Sequence, residues 1–227
     1  MNSLPIDLIQ YHIFDKLDPK TQLRFRQICK RLNRVDIYNM YYNIDDEYLD
    51  KLSDDILINY PKIKYLNAYN NPKITNINHI TNLQILNASG YNCRLTDNGI
   101  KDINLIELYA WNNTKLTDIN HMNKLKILDA SGYFCKIDNN GIKDLNLIKL
   151  NALQNQKIRN VNHMTNLQIL NASWDCGIDD NGIKDLNLIE LTASYNSKIT
   201  NVNHMSNLQI LNASEYCCGL RLGRSVS

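Results

Sequence analysis

Cysteine and histidine are the residue types in this chain with the most chemistry to offer, and both recur at intervals. Cys93, Cys135, Cys176 and Cys217 stand about forty-two residues apart, and His79, His121, His163 and His204 do the same. Such ladders could bind a soft metal, close disulfides or simply pack, and spacing chooses among these. If each forty-two-residue block is two coils of a parallel-stranded ribbon, equivalent residues stand two strands apart, on the order of 10 Å. A disulfide needs Cα atoms within about 7 Å. Two thiolates on one zinc lie no more than about 4.6 Å apart. The cysteines are therefore expected to be small buried apolar side chains kept reduced, and the histidines a structural repeat position. No metal and no cofactor are expected.

Other chemical motifs fare no better. Asn87-Ala-Ser89, Asn171-Ala-Ser173 and Asn212-Ala-Ser214 match the glycosylation sequon, but their positions read as strands. Asp179-Asp180-Asn181-Gly182 has the opening of a calcium loop without the later Glu or the acidic spacing. No glycine-rich phosphate loop or nucleophile elbow occurs. No catalytic residue is assigned, and the chain is not expected to be an enzyme.

The elements that position these residues repeat. Each block splits into a shorter and a longer half, and the halves open alike. Apolar residues stand at positions one and four with alanine at six: Ile63/Leu66/Ala68, Leu83/Leu86/Ala88, Leu105/Leu108/Ala110, Leu125/Leu128/Ala130, Leu147/Leu150/Ala152, Leu167/Leu170/Ala172, Leu188/Leu191/Ala193 and Leu208/Leu211/Ala213. A period of twenty to twenty-two residues with this pattern is the leucine-rich-repeat signature. Its physical reading is an α/β solenoid with one short strand per coil, stacked so that no coil buries its apolar face alone. Such a surface presents side chains for binding. In long halves, Asn98-Gly99, Asn140-Gly141 and Asn181-Gly182 are expected to make a turn, followed by one or two helical turns. Asn71, Asn113, Asn155 and Asn196, at position nine of short halves, are expected to hydrogen-bond neighbouring backbone as a ladder.

Ahead of the repeats, residues 1–36 read as two compact helices. Pro5 sits early in the first, with Leu8, Ile9, Ile13, Phe14 and Leu17 at helical spacing. Asp18-Pro19 stops that helix and starts the next, which carries Leu23, Phe25, Ile28, Cys29 and Leu32 on one side. Arg24, Arg26, Lys30, Arg31 and Arg34 read as a solvated face. Fewer than about 40 residues seldom build a self-sufficient core, so these apolar faces must pack on a partner, on the repeats, or on both. Residues 37–62 form the linker and N-terminal capping coil, with an irregular first strand within 37–44 and an amphipathic helix from Asp45 to Asn59. Residues 63–227 hold about eight repeat units, the last one incomplete.

Leu4-Pro5-Ile6-Asp7-Leu8-Ile9, Ile13-Phe14-Asp-Lys-Leu17 and Arg26-Gln27-Ile28-Cys29-Lys30-Arg31 together resemble the F-box motif. Leu32-Asn33 departs from it, standing where the family commonly has Trp; Leu keeps the apolar character with less contact area. The repeats, with Cys followed by Leu-Thr-Asp-x-Gly-Ile, are similar to the cysteine-containing class of leucine-rich repeats, which commonly follows an F-box. The Asn- and Ile-rich style is similar to F-box and repeat proteins of giant DNA viruses of amoebae. The resemblance implies a leucine-rich-repeat horseshoe with a small all-α F-box at its N-terminus. It also implies a substrate-recognition subunit of an SCF-type cullin–RING ubiquitin ligase. The Skp-family adaptor would bind Leu4, Pro5, Leu8, Ile13, Phe14, Leu17, Leu23, Ile28, Cys29 and Leu32, and a protein substrate would bind the repeats. The alternative is an interaction scaffold that recruits no ligase.

Side chains alternate along a strand, so positions three, five and seven point away from the core, with eight beside them. Long halves repeat nearly one triplet there, from Ile85/Asn87/Ser89 to Ile210/Asn212/Ser214. Short halves differ from one another, and Trp174 and Tyr195 add two more large side chains at position eight. Variation suits recognition, and exposed aromatics are typical interface anchors. The substrate-binding candidates are Tyr65, Tyr69, Tyr109, Trp111, Leu153, Trp174 and Tyr195. The formal net charge of +2 in 227 residues speaks against nucleic acid as a partner. With neither an apolar leader nor a run of the ~20 apolar residues a span needs, no membrane partner is expected. The expected location is intracellular, cytoplasmic or nuclear, in a host cell if the viral likeness holds.

Overall fold

A computed structural model of the chain describes residues 39–40 and 52–213. The ten adaptor-binding candidates, from Leu4 to Leu32, and Cys217 lie outside the described residues.

Each opening of a half folds as a three-residue strand. After β1 (Asn39–Met40) come β2 (Tyr65–Asn67), β3 (Ile85–Asn87), β4 (Glu107–Tyr109), β5 (Ile127–Asp129), β6 (Lys149–Asn151), β7 (Ile169–Asn171), β8 (Glu190–Thr192) and β9 (Ile210–Asn212). They pair in parallel, in strict sequence order, as one nine-stranded sheet. Neighbouring order without crossovers is what a solenoid requires, because each coil returns beside the one before it. The register aligns Leu66, Leu86, Leu108, Leu128, Leu150, Leu170, Leu191 and Leu211 side by side. All of these except Leu211 are buried, as are the alanines two residues on and the position-one residues from Ile63 to Leu188. Burying one such leucine contributes roughly 1.5–3 kcal/mol, and that gain requires a coil on either side.

The backs of the long halves differ from expectation in one respect. Helical turns begin at or before the Asn-Gly pair: α2 spans Asp97–Ile100, a 3₁₀ turn spans Asn140–Ile142, and α3 spans Asp180–Ile183. The glycine is inside the turn, and its backbone N–H is capped by Thr96, Asp138 or Asp179. Close approach explains the residue choice. A Cβ on Gly99, Gly141 or Gly182 would lie 2.1, 1.9 or 2.1 Å from the carbonyl oxygen of Thr75, Thr117 or Arg159 in the preceding coil. The helix expected from Asp45 to Asn59 is also shorter where it is described. Here α1 covers Asp54–Leu57, and Ser53 is extended at φ −148°, ψ 168°.

The Asn ladder forms as the pattern suggested. Asn71, Asn113, Asn155 and Asn196 are buried. Their Nδ2 groups donate to the carbonyls of Leu52, Ala88, Ala130 and Ala172 at 3.1, 2.6, 2.7 and 2.7 Å. Their Oδ1 atoms accept from the backbone N–H two residues on, at 2.7–3.1 Å. Backbone that turns inside a core must find such partners, since an orphaned buried group costs about as much as a lost hydrogen bond.

The chain leaves its strands through one unusual conformation. Position eight has positive φ in seven consecutive coils: Asn70, Gly90, Asn112, Gly132, Gln154, Trp174 and Tyr195. Glycine and asparagine tolerate this left-handed region; large side chains rarely enter it.

Candidate binding surface

The two chemical ladders resolve into structure. Cys93, Cys135 and Cys176 are free and buried, and burial pushes each thiol from 9.0 up to about 11. They are protonated at neutral pH and act as packing. His121, His163 and His204 place Nε2 at 3.1 Å from the carbonyls of Ile100, Ile142 and Ile183, one coil back. A carbonyl only accepts, so Nε2 carries the proton. His79, the first rung, leaves Nε2 buried without a partner. Among the described residues no three His, Cys, Asp or Glu side chains converge on a point that could hold a metal.

The strand face is the other surface with chemical variety. Most strands show a half-buried, buried, half-buried sequence at positions three, four and five. Tyr65 and Tyr109 are half-buried there, and the Tyr109 hydroxyl donates to Glu107 Oε2 at 2.9 Å. At position seven, Tyr69 and Trp111 are exposed and Leu153 is half-buried. The serines expected beside them on the outer face, Ser89, Ser131 and Ser173, are instead buried. Ser89 and Ser131 lie in coils flanked on both sides by the bulkier Tyr69, Trp111 or Leu153, and a small side chain under taller neighbours sits at the bottom of the row. Ser89 Oγ there accepts from the Trp111 N–H at 3.1 Å.

The rim beyond the strands gathers aromatic side chains into two groups. Trp174 and Tyr195, from adjacent coils, stack with ring centroids 4.7 Å apart and an interplanar angle of 30°. They are 47% and 42% exposed. Trp111 meets Tyr91 edge-on at 6.3 Å, and Tyr91 meets Phe134 at 5.2 Å. Tyr91, Tyr133 and Phe134, all exposed, were not among the sequence candidates. They follow the glycine at position eight, outside the strand alternation used to choose residues. The Tyr133 hydroxyl donates to Asp175 Oδ2 at 3.1 Å, two coils on. That hydrogen bond to a carboxylate, reinforced by desolvation and charge, holds the Tyr133 phenol above its ordinary 10.0.

The Trp174–Tyr195 pair sits on strained backbone. Their φ angles are +60° and +58°, which costs roughly 1–2 kcal/mol for each non-glycine residue. Stacking returns about 0.5–1.5 kcal/mol beyond area burial, so the pair gains little for the fold. The same left-handed conformation recurs at position eight of the preceding coils, so it belongs to the turn that the coils share. A shallow groove of about 630 Å³ lies elsewhere, lined by Thr75, Asn76, Arg94, Thr96, Asn98, Gly99 and Lys115, and includes none of the candidates.

None of the curated proteins compared with the chain matches it. The F-box domain family matches residues 1–38. No helix among the described residues is long and apolar enough to cross a membrane. The chain thus carries an F-box domain at residues 1–38, ahead of a repeat-like solenoid of parallel strands.

Proposed function

We propose that this chain is the substrate-recognition subunit of an SCF-type cullin–RING ubiquitin ligase. An F-box implies an adaptor role in such complexes, generally a non-catalytic one. In this reading residues 1–36 dock on the Skp-family adaptor through Leu4, Pro5, Leu8, Ile13, Phe14, Leu17, Leu23, Ile28, Cys29 and Leu32. Residues 37–62 cap the array, and residues 63–227 form a leucine-rich-repeat horseshoe of the cysteine-containing class. Its strand face and rim hold a protein substrate through Tyr65, Tyr69, Tyr109, Trp111, Leu153, Trp174 and Tyr195. Ubiquitin transfer belongs to the conjugating enzyme recruited with the adaptor. The observation that carries the reading is the order of parts: an F-box followed by a solenoid of parallel strands with exposed aromatic side chains.

Capture of a Skp-family adaptor by the full chain tests it. The intact protein should retain the adaptor, and Pro5→Ala with Phe14→Ala should lose it. Failure of the intact protein to bind any Skp-family adaptor removes the proposal. Leu32 in place of the usual Trp favours a second reading, an interaction scaffold without ligase recruitment. That reading predicts substrate binding with no ubiquitin transfer in a reconstituted reaction.

A further inference from the structure

Beyond each strand the chain turns away through a short segment that carries the next row of side chains. After β3, β4, β5 and β6 these segments are residues 91–96, 111–117, 133–137 and 153–159. They contain Arg94, Lys115, Lys136, Lys157 and Arg159 and not one Asp or Glu. Five positive charges in four adjacent coils contrast with a net charge of +2 for the whole chain. Lys157 is half-buried, and the other four are exposed.

Contacts between coils put these residues in one row. Arg94 and Lys115, from adjacent coils, line the shallow groove of about 630 Å³, whose walls include no carboxylate. The Lys136 N–H donates to Asn113 O at 3.1 Å, two residues before Lys115. Lys157 Nζ donates to Cys135 O at 2.6 Å, one residue before Lys136. That bond uses one of three ammonium donors. None of the five forms an ion pair; the ion pair among the described residues joins Lys184 to Asp185 at 3.9 Å. The carboxylates that follow in sequence are engaged elsewhere. Asp97 accepts from the Thr117 N–H and hydroxyl, Asp118 from the Asn120 N–H, and Asp138 from the Asn140 and Gly141 N–H groups. Asp175, on the rim, accepts from the Tyr133 hydroxyl at 3.1 Å.

The result is a narrow basic stripe with an acidic row behind it. Like charges on neighbouring coils repel, so the stripe gives the fold nothing, and an anion laid along it relieves that repulsion. A matching partner must be narrow, extended and discretely charged. In an extended peptide every second side chain faces the same way, at a spacing of about 6.6 Å. A nucleic-acid strand also has long-range repulsion from the acidic row, and a net charge of +2 offers it little attraction.

We propose that the stripe from Arg94 to Arg159 docks an extended acidic segment, rich in Asp or Glu, of the protein substrate. This rests on the substrate-receptor reading and names the class of sequence that the receptor selects. One carboxylate enters the groove between Arg94 and Lys115. The Thr96 hydroxyl in that groove accepts from the Gly99 N–H at 3.3 Å and keeps its own hydrogen to donate. Carboxylates further along the segment meet Lys136, Lys157 and Arg159.

The full-length protein is titrated into fluorescein-labelled short peptides of alternating Glu and Ser, or of alternating Gln and Ser, with anisotropy as the readout. The Glu peptide should bind about 10-fold or more tighter than the Gln peptide. Its affinity should fall with added salt. Arg94→Gln with Lys115→Gln should cost about 5- to 10-fold with the Glu peptide and nothing with the Gln peptide. Lys101→Gln with Lys143→Gln removes the same charge from exposed positions elsewhere on these coils and should leave binding nearly unchanged. All four positions are exposed, so both variants keep the fold, which circular dichroism checks. Equal binding of the two peptides, an indifferent Arg94→Gln/Lys115→Gln variant, or equal losses in both double variants overturns the proposal. Tighter binding of oligouridine than of the Glu peptide overturns the assignment to a peptide. Adaptor capture by the same protein separates the two readings. Retained capture without preference for the Glu peptide sinks the stripe alone, whereas lost capture sinks the receptor reading and leaves the stripe standing.

Discussion

Asn155→Ala should be among the most damaging single substitutions in the solenoid. Asn155 is 1% exposed and makes four hydrogen bonds. Its Nδ2 donates to Ala130 O at 2.7 Å and Ile137 O at 3.1 Å. Its Oδ1 accepts from Lys157 N at 2.9 Å and Ile158 N at 3.4 Å. Alanine leaves two carbonyls and two N–H groups without these partners. The bond to Ile158 is long and Lys157 is partly hydrated, so the two carbonyls dominate. At about 1–3 kcal/mol for each orphaned buried group, the loss is about 3–5 kcal/mol. Asn160 is the internal control: it is exposed, and its side chain accepts from Asn162 N at 3.0 Å. Asn160→Ala should stay within about 0.5 kcal/mol. Urea unfolding followed by circular dichroism reads both, with slopes of roughly 1–3 kcal/mol/M converting the loss into a midpoint shift of 1 M or more. A loss below about 1 kcal/mol for Asn155→Ala would refute the reasoning that the ladder, and not strand pairing alone, holds the turns together.

Other consequences follow from the same geometry. Gly132→Ala should destabilise by about 2–4 kcal/mol, because φ is +95° and the new Cβ would lie 2.1 Å from Asn112 Oδ1; thermal unfolding measures it, and a neutral result would mean the turn relaxes freely. The thiols of Cys93, Cys135 and Cys176 should resist iodoacetamide at pH 8 in the folded protein and react once it is unfolded, which peptide mapping reads. Their folded pKa of about 11 exceeds the ordinary 9.0, so their stability contribution is complete below pH 9 and is lost as pH rises through about 11. Asp180 runs the other way. Burial opposes its ionisation, but hydrogen bonds from the Thr200 hydroxyl and N–H and from Asn201 N–H, with nearby His204, outweigh that and hold its carboxyl below 3.8. Its contribution is present above pH 3.8 and lost on further acidification, and Asp180→Ala should flatten the acid limb of the unfolding curve.

Much of this architecture was legible without coordinates, because a solenoid is nearly one-dimensional. Leucine at positions one and four and alanine at six could satisfy one another only by stacking coil on coil, which fixed the parallel ladder from Leu66 to Leu211. The roles of Asn155, Cys135 and His163 followed from recurrence at one coil position. What happens between and beyond the strands was not legible, because it depends on neighbouring coils and not on local pattern. The requirement for glycine at 99, 141 and 182 comes from a carbonyl one coil back. The burial of Ser89 reflects the bulk of its neighbours in space, which no alternation rule contains. Trp174 and Tyr195 could be picked from sequence as large residues at position eight. That they share a strained backbone and touch at 4.7 Å was decided only by the tertiary structure. Stacking brings residues about twenty positions apart within a few ångströms, and contacts of that kind set the chemistry of the rim.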